Sequence, residues 1–288
     1  MPTNKLKWIL LIGLALVWGS SFILIFKGLH GLSAIELGSM RIIFSALFLW
    51  IIGFKSIYTI RLYQWKYIAL TGFMGTFFPA YLFAIAETQV SSSIASILNS
   101  LTPLNTLLIG VLGFGFTFKR NQSLGILIGL LGILTLILGG NQAGSSKNIY
   151  YSLLVVLASI CYAVNINLIK KYLSDVKPIS ITTGNFTVLS IPAFVILLFT
   201  DFFEKIQLQN TQTSLQYVLL LAVLGTGIAN IVYFKLIQIS SPIFASSVTY
   251  LIPIVACVWG FFNRESLTFI QYIGAFVILI GVYLSNKK

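Results

Sequence analysis

Long apolar runs alternate with short polar gaps along the whole chain. Each run is close to 20 residues long, which at 1.5 Å per residue is the length needed to cross a hydrocarbon core of about 30 Å. Ten runs are present, and we number them as spans 1 to 10. Their predicted limits are roughly 8–26, 34–54, 66–86, 91–114, 122–139, 149–169, 179–199, 215–236, 242–262 and 268–285. The pattern predicts an all-α integral membrane protein with ten transmembrane helices.

The last five spans repeat the first five. A gap of linker composition, residues 139–146, separates the two sets. At shifts of 150 and 144 residues the matched positions include Gly75-Thr76 with Gly225-Thr226, Pro103 with Pro253, Trp18 with Tyr162 and Ser21 with Asn165. Several matches in order are rarely produced by chance, so the chain is predicted to contain two five-helix repeats, residues 1–140 and 149–288.

The odd number of spans in each repeat requires the second repeat to enter the membrane in the opposite orientation. Positive charge tests this orientation, because short cytoplasmic loops collect Lys and Arg. With the N-terminus placed in the cytoplasm, 13 of the 18 Lys and Arg residues fall on the cytoplasmic side and 5 on the outer side. The sequence therefore predicts inverted repeats in the cell (inner or plasma) membrane, with both termini cytoplasmic.

Composition supports a lipid environment and excludes several other classes. Of the residues, 58% are hydrophobic and only 8% are charged, against about 25% charged in a soluble domain. A net charge of +12 can indicate a nucleic-acid partner, but the basic residues lie in the gaps between spans, so no nucleic acid is expected. Cys161 and Cys257 lie inside spans and offer no metal spacing. No metal or cofactor is predicted, and no enzyme motif of the HExxH or GxSxG type occurs.

A set of short motifs occurs in order along both repeats. They are Trp18-Gly19-Ser20-Ser21-Phe22, Met40-Arg41, Gly75-Thr76, Leu101-Thr102-Pro103, Gly225-Thr226-Gly227, Leu251-Ile252-Pro253 and Arg264-Glu265-Ser266-Leu267-Thr268. In this order the motifs resemble those of the EamA-like branch of the drug/metabolite transporter superfamily. The resemblance implies ten helices in two inverted units, cytoplasmic termini and a central path for small metabolites. Members of that family export amino acids, drugs or other metabolites.

Polar side chains form stripes on several spans, and in lipid such stripes face the bundle interior or a cavity. The predicted substrate-binding residues are Trp18, Ser21, Thr76, Phe83, Ser96, Asn99, Ser100, Tyr162, Asn165, Thr226, Asn230, Tyr233, Ser246, Thr249 and Tyr250. The alternative interpretation is that they join helices, since Ser, Thr and Asn often hydrogen-bond within or between membrane helices. Pro103 and Pro253 each free a backbone carbonyl in mid-span, and are either hinges or packing kinks.

Charged residues are sparse within the spans. The six carboxylates fall at or beside span ends, and the one histidine lies in a loop, so no proton relay is predicted in mid-membrane. Lys235 lies near the end of span 8, where its long side chain is expected to reach the interface. Arg41 either pairs with Glu36 or lines the outer vestibule.

Inverted repeats favour a transporter, because two such halves can exchange inward-open and outward-open states. The sequence predicts an exporter or facilitator of small neutral or zwitterionic metabolites, such as amino acids, that works by alternating access through a central cavity. Its partners are then a small-molecule substrate and the lipid bilayer. The alternatives are a membrane channel and a non-transporting polytopic scaffold.

Overall fold

The computed structural model describes residues 3–115, 124–125, 127–129, 131–132, 134–135, 146–262 and 268–286. No strand occurs among these residues. Within the described ranges, seven helical stretches are long and apolar enough to cross a membrane: Lys5–Gly28, Ala34–Thr59, Leu62–Ala86, Ser92–Phe114, Ile149–Tyr172, Pro178–Leu198 and Gln209–Ile239. Two shorter apolar helices, Pro242–Ala256 and Tyr272–Gly281, fall on spans 9 and 10. Span 5 and the linker lie partly or wholly outside the described residues. The chain is therefore an all-helical, multi-pass membrane protein.

Serine side chains mark the starts of three helices. Ser33 and Glu36 form a capping box at the start of span 2, and Ser91 and Ser241 accept backbone N–H groups at the starts of spans 4 and 9. These caps satisfy N–H groups that have no partner within the helix. The helices run Thr3–Gly28, Ala34–Gly53, Trp65–Gly72, Phe78–Ala86, Ser92–Asn99, Thr102–Phe114, Ser146–Tyr172, Pro178–Leu198, Phe202–Lys205, Gln209–Leu220, Ala229–Ile239, Pro242–Ser246, Val248–Phe262 and Phe269–Asn286.

Spans 3 and 8 each contain a π-helical segment, at Phe73–Phe77 and Leu221–Ile228. Both segments contain the Gly-Thr pair that repeats at a shift of 150 residues. The wider π turn leaves carbonyls without their usual helical partners. In span 8 one such carbonyl, that of Gly225, accepts a hydrogen bond from the Trp18 indole N–H at 2.9 Å. The π turn thereby ties span 8 to span 1.

Spans 4 and 9 are interrupted close to their proline residues. Span 4 breaks between Ser92–Asn99 and Thr102–Phe114, and span 9 breaks between Pro242–Ser246 and Val248–Phe262. Because a proline has no N–H, Pro253 leaves the carbonyl of residue 249 without its helical donor. The Ser100 hydroxyl donates to that carbonyl at 2.9 Å. This bond compensates for Pro253 and joins the two broken helices, while Pro103 lies in the first turn of its helix, where a missing N–H costs no helical bond.

Helix packing places spans from both halves around one centre. Span 1 packs against spans 8 and 9, and span 6 packs against spans 3 and 4. Under the 150-residue and 144-residue shifts these two sets of contacts correspond, because span 1 matches span 6 while spans 3 and 4 match spans 8 and 9. Spans 2 and 7 pack against each other. Large apolar side chains cover the outside of the bundle, as lipid contact requires.

Two opposite faces of the bundle can be told apart by their loop contacts. On the face where span 1 begins, which we call the N face, the Gln64 amide donates to both oxygens of the Asp175 carboxylate at 3.3 and 3.2 Å. On the opposite face, Lys205 lies 4.0 Å from Glu36 and donates to Asp201 at 3.1 Å. The hydrogen bond to Asp201 raises the pKa of Lys205, so this exposed ammonium stays charged.

Candidate functional site

A small cavity lies in the middle of the bundle, between spans of both halves of the chain. Its volume is about 70 Å³, well below the roughly 300 Å³ at which small-molecule pockets usually begin. Aromatic rings, hydroxyl groups, amides and one arginine form its walls. The spans must therefore separate for a metabolite to enter.

Polar stripes that are far apart in the sequence converge on this cavity. Eleven of the fifteen residues predicted from the sequence line it: Trp18, Ser21, Thr76, Phe83, Asn99, Tyr162, Asn165, Thr226, Asn230, Tyr233 and Thr249. They come from spans 1, 3, 4, 6, 8 and 9. Their contact with a solute remains a prediction, but the structure brings them together as such a site requires.

The other four predicted residues lie outside the cavity lining. The hydroxyls of Ser96 and Ser246 donate to backbone carbonyls one turn back in their own helices, at 2.7 and 3.0 Å. Ser100 forms the bond between spans 4 and 9 described above, and Tyr250 packs against the apolar core. In the structure these four side chains make contacts within or between helices, as the alternative interpretation of the polar stripes expects.

Two glycines let the halves approach closely at equivalent points. A Cβ atom added at Gly75 would lie 2.4 Å from the amide nitrogen of Asn165, and one added at Gly225 would lie 2.6 Å from the Ser21 hydroxyl. These contacts correspond under the shifts, because Gly75 matches Gly225 and Asn165 matches Ser21. Only glycine fits at either position without displacing a neighbour that lines the cavity.

Two aromatic contacts between the halves border the cavity. Trp18 and Tyr233 meet edge to face, with ring centroids 4.7 Å apart, and Phe83 and Tyr162 lie 6.1 Å apart at an angle of 30°. The pairs correspond, since Trp18 matches Tyr162 and Tyr233 matches Phe83. Tyr233 is near the end of span 8 at the N face, whereas Phe83 is near the opposite end of span 3. One aromatic pair therefore lies toward each face.

Arg41 of span 2 is the charged residue of the cavity lining. Its Nε donates to the Thr226 hydroxyl at 2.8 Å, and Glu87 lies near enough for its charge to act on the guanidinium. Glu36 is engaged instead by its capping box and by Lys205. The two roles predicted for Arg41 are pairing with Glu36 and lining the outer vestibule; the structure instead places Arg41 in the lining of the central cavity. The 144-residue shift places Arg41 on Asn185, a buried residue of span 7 that is not part of the lining.

Sequence reasoning left seven of the lining residues out of the predicted site. They are Phe22, Ile25, Arg41, Gly75, Thr102, Gly225 and Ile252. The apolar ones carry no signal that separates them from ordinary core residues, and the glycines matter through the space they leave. Arg41 did carry a signal, as a charge inside an apolar span. Lys235, the other such cation, has an exposed side chain outside the cavity lining.

Some polar atoms at the site have no hydrogen-bond partner among the residues that the structure describes. The Asn165 side-chain oxygen and the Thr76 hydroxyl oxygen are buried, and neither makes a hydrogen bond to those residues. Both residues line the cavity. A buried acceptor without a donor is costly in a membrane interior, so these atoms favour a polar ligand.

Known proteins resemble the chain over nearly its whole length. A model of the EamA-like transporter family matches residues 6–138 and again residues 149–287. The uncharacterized inner membrane transporter YedA of Escherichia coli K12 is 28% identical over 282 residues, covering 95% of this chain and 88% of YedA. An uncharacterized transporter of Archaeoglobus fulgidus is 25% identical over 288 residues, covering 98% and 99% of the two chains. Both names describe transporters rather than enzymes.

A solved crystal structure shares the fold. It superposes with a TM-score of 0.69 over 97% of this chain and 96% of its own, at 14% sequence identity. The similarity in sequence is low, so the match describes the arrangement of helices and nothing about the solute.

Proposed function

This chain belongs to the EamA-like transporter family, of the drug/metabolite transporter superfamily, and on that premise we propose that it carries small neutral or zwitterionic metabolites, such as amino acids, by alternating access. It is a multi-pass membrane protein whose relatives are named as transporters. The observation that carries the proposal is the polar cavity in mid-bundle, bordered toward each face by an aromatic contact between the halves.

The proposed architecture is ten helices in two inverted repeats, residues 1–140 and 149–288, with the N face in the cytoplasm. Corresponding contacts support it: the glycine approaches, the aromatic pairs and the packing of span 1 and span 6 each occur twice, once for each half. Two halves related in this way can exchange conformations, so that a contact made on one face is released while its counterpart forms on the other.

In the proposed cycle the aromatic pairs act as gates. Trp18 and Tyr233 close the path toward the cytoplasm, and Phe83 and Tyr162 close it toward the outside. The first pair is the tighter, by 4.7 against 6.1 Å between centroids. The halves rock about Pro103 and Pro253, which lie close to the breaks in spans 4 and 9. A channel has no need of two gates that close in turn, which is why we favour a carrier.

The lining supports a small polar solute. Hydroxyl and amide groups of both halves converge on the cavity, and the unpaired oxygens of Asn165 and Thr76 accept hydrogen bonds from solute donors. Phosphorylated solutes need several Arg or Lys residues, whereas the lining contains one. The aromatic rings supply apolar contact area for the rest of the molecule.

The test is transport by the purified full-length protein in proteoliposomes, with radiolabelled amino acids and nucleobases as solutes. We expect saturable uptake that is accelerated by unlabelled solute on the far side, since trans-acceleration is a property of carriers. Linear uptake without trans-acceleration supports a channel instead, and no uptake of any solute contradicts the proposal.

Asn99→Ala tests the site itself. Asn99 lines the cavity, so its loss is expected to reduce uptake at unchanged protein abundance. Leu134→Ala is the matched control, because Leu134 is 55% exposed on the outside of the bundle. If Asn99→Ala reduces abundance rather than uptake, Asn99 holds helices together and does not contact solute.

A further inference from the structure

Arg41 places a permanent positive charge in the wall of the cavity. Its side chain is partly exposed, and it lines the cavity together with Thr226. The hydrogen bond to Thr226 uses Nε. Within the described part of the chain, the terminal Nη groups donate no hydrogen bond to another side chain or carbonyl. The Nη groups of this lining residue are therefore available to a bidentate partner.

Hydrogen bonding to a neutral hydroxyl does not neutralise this charge. A cation inside a membrane protein is costly unless it is paired or hydrated. Both carboxylates near Arg41 accept hydrogen bonds from other groups: Glu36 from the Ser33 backbone at 2.7 Å, and Glu87 from the Ser92 hydroxyl at 3.0 Å. The nearby charge of Glu87 offsets part of the Arg41 charge. An anion entering the cavity would gain the charge–charge attraction as well as the hydrogen bonds.

We infer that Arg41 binds a carboxylate of the transported solute, so that the substrates of this carrier are small solutes with one carboxylate group. The inference rests on the proposed function and changes its substrate class: solutes without a carboxylate are left out, and monoanions such as lactate are added to the zwitterions. Arginine suits this role because its planar donors match the two oxygens of a carboxylate. Among the described residues one cation lines the cavity, which suits a single carboxylate and not a dianion.

The remainder of the lining complements the rest of such a solute. Asn165 and Thr76, with their unpaired oxygens, accept from an ammonium or hydroxyl group. The faces of Tyr162 and Tyr233 also attract an ammonium, because aromatic rings carry negative charge on their faces. An α-amino acid satisfies both sets of groups. An uncharged nucleobase has no group that gains from the charge of Arg41.

The experiment compares carboxylic acids with their amides. Proteoliposomes that contain the full-length protein are assayed for counterflow of radiolabelled L-alanine, L-threonine, L-phenylalanine and lactate, with uracil as the uncharged solute. The carboxamide of each acid then competes with the acid for uptake. We expect at least one acid to be taken up, and its carboxamide to compete about 10- to 100-fold more weakly, the range typical of a hydrogen bond to a charged group.

Variants of Arg41 test whether this residue binds the carboxylate. Arg41→Gln is expected to weaken apparent affinity for the acid about 10- to 100-fold while leaving that for the carboxamide unchanged, and Arg41→Lys is expected to restore part of the preference for the acid. Arg61→Gln is the matched control, because Arg61 is an exposed loop residue. Each variant is first quantified in the membrane fraction.

The outcomes separate this inference from the proposed function. Uptake of uracil but of no acid overturns the inference and leaves a carrier in place. Undiminished acid preference in Arg41→Gln also overturns it. No uptake of any solute rejects the proposed function together with the inference. If Arg41→Gln does not accumulate in the membrane, the test is the competition between each acid and its carboxamide for uptake by the unmodified protein. The inference is overturned if the carboxamide competes as strongly as the acid.

Discussion

Gly75→Ala adds a methyl group where spans 3 and 6 meet. The new Cβ would lie 2.4 Å from the Asn165 amide nitrogen and 2.5 Å from its Cγ, whereas ordinary contacts begin near 3.4 Å. Because the added methyl group overlaps Cγ as well as the terminal nitrogen of Asn165, the whole Asn165 side chain must move. Overpacking of this kind costs about 1–3 kcal/mol of unfolding free energy, while the exchange of a helical glycine for alanine gains about 1 kcal/mol.

Gly13→Ala isolates the packing cost. Gly13 lies within the helix Thr3–Gly28, and an added Cβ there meets no atom within 4 Å. Both variants receive the helix-propensity gain, so their difference is the overpacking alone. We expect the thermal unfolding midpoint of Gly75→Ala in detergent to lie about 2–10 °C below that of Gly13→Ala, with uptake reduced because Asn165 is displaced. Equal midpoints and equal uptake would refute the close contact between Gly75 and Asn165.

Three further predictions concern topology, the kinked helices and energy coupling. Single cysteines are placed at the exposed positions Gln207 and Lys55 in a cysteine-free background. We expect an impermeant maleimide to reach Gln207→Cys only from outside and Lys55→Cys only from the cytoplasm. Labelling from the reverse sides, or of both cysteines from one side, contradicts inverted repeats. Ser100→Ala is expected to cost about 1–3 kcal/mol of unfolding free energy, because it leaves the Thr249 carbonyl without a donor. The cost is expected to be much smaller in combination with Pro253→Ala, because residue 253 then has an N–H that can donate to the same carbonyl. Strictly additive changes in the unfolding midpoint would contradict this. An imposed pH gradient is expected not to concentrate a net-neutral solute above equilibrium in proteoliposomes, and accumulation would direct mutagenesis to Glu87.

The spans could be predicted because their signal is local. A run of 20 apolar residues has few stable alternatives to a membrane helix, and the Gly-Thr and proline positions repeat at a fixed shift. The π-helical segments could not be predicted. They depend on partners from other spans, such as the Trp18 indole that satisfies the Gly225 carbonyl, and no periodicity in span 8 records that contact.

The site could be predicted in part for a related reason. Helical periodicity places Asn99 and Thr249 on inward stripes, but it cannot tell a cavity from a helix contact one turn away. Ser96 and Ser246 share those stripes and bond to their own helices instead. Arg41 shows the opposite case. Its charge within a span was visible, but the predicted choices were Glu36 and the outer vestibule, whereas Arg41 lines the central cavity and hydrogen-bonds to Thr226, a residue 185 positions away.

The confinement of Arg41 to one half of the chain has an electrical consequence. Its counterpart by the 144-residue shift is the neutral Asn185, so in the proposed cycle an exchange of conformations between the halves would move the Arg41 charge with no matching charge at Asn185 moving the other way. One elementary charge crossing the full field changes free energy by about 2.3 kcal/mol per 100 mV. At 100 mV, moving the Arg41 charge through a tenth of the field would change the ratio of the inward-open to the outward-open state of the empty carrier by about 1.5-fold. In the proposed cycle a bound monoanion such as lactate would cancel that charge and make reorientation insensitive to membrane voltage, whereas a zwitterionic amino acid would leave the net charge, and so the voltage dependence, unchanged.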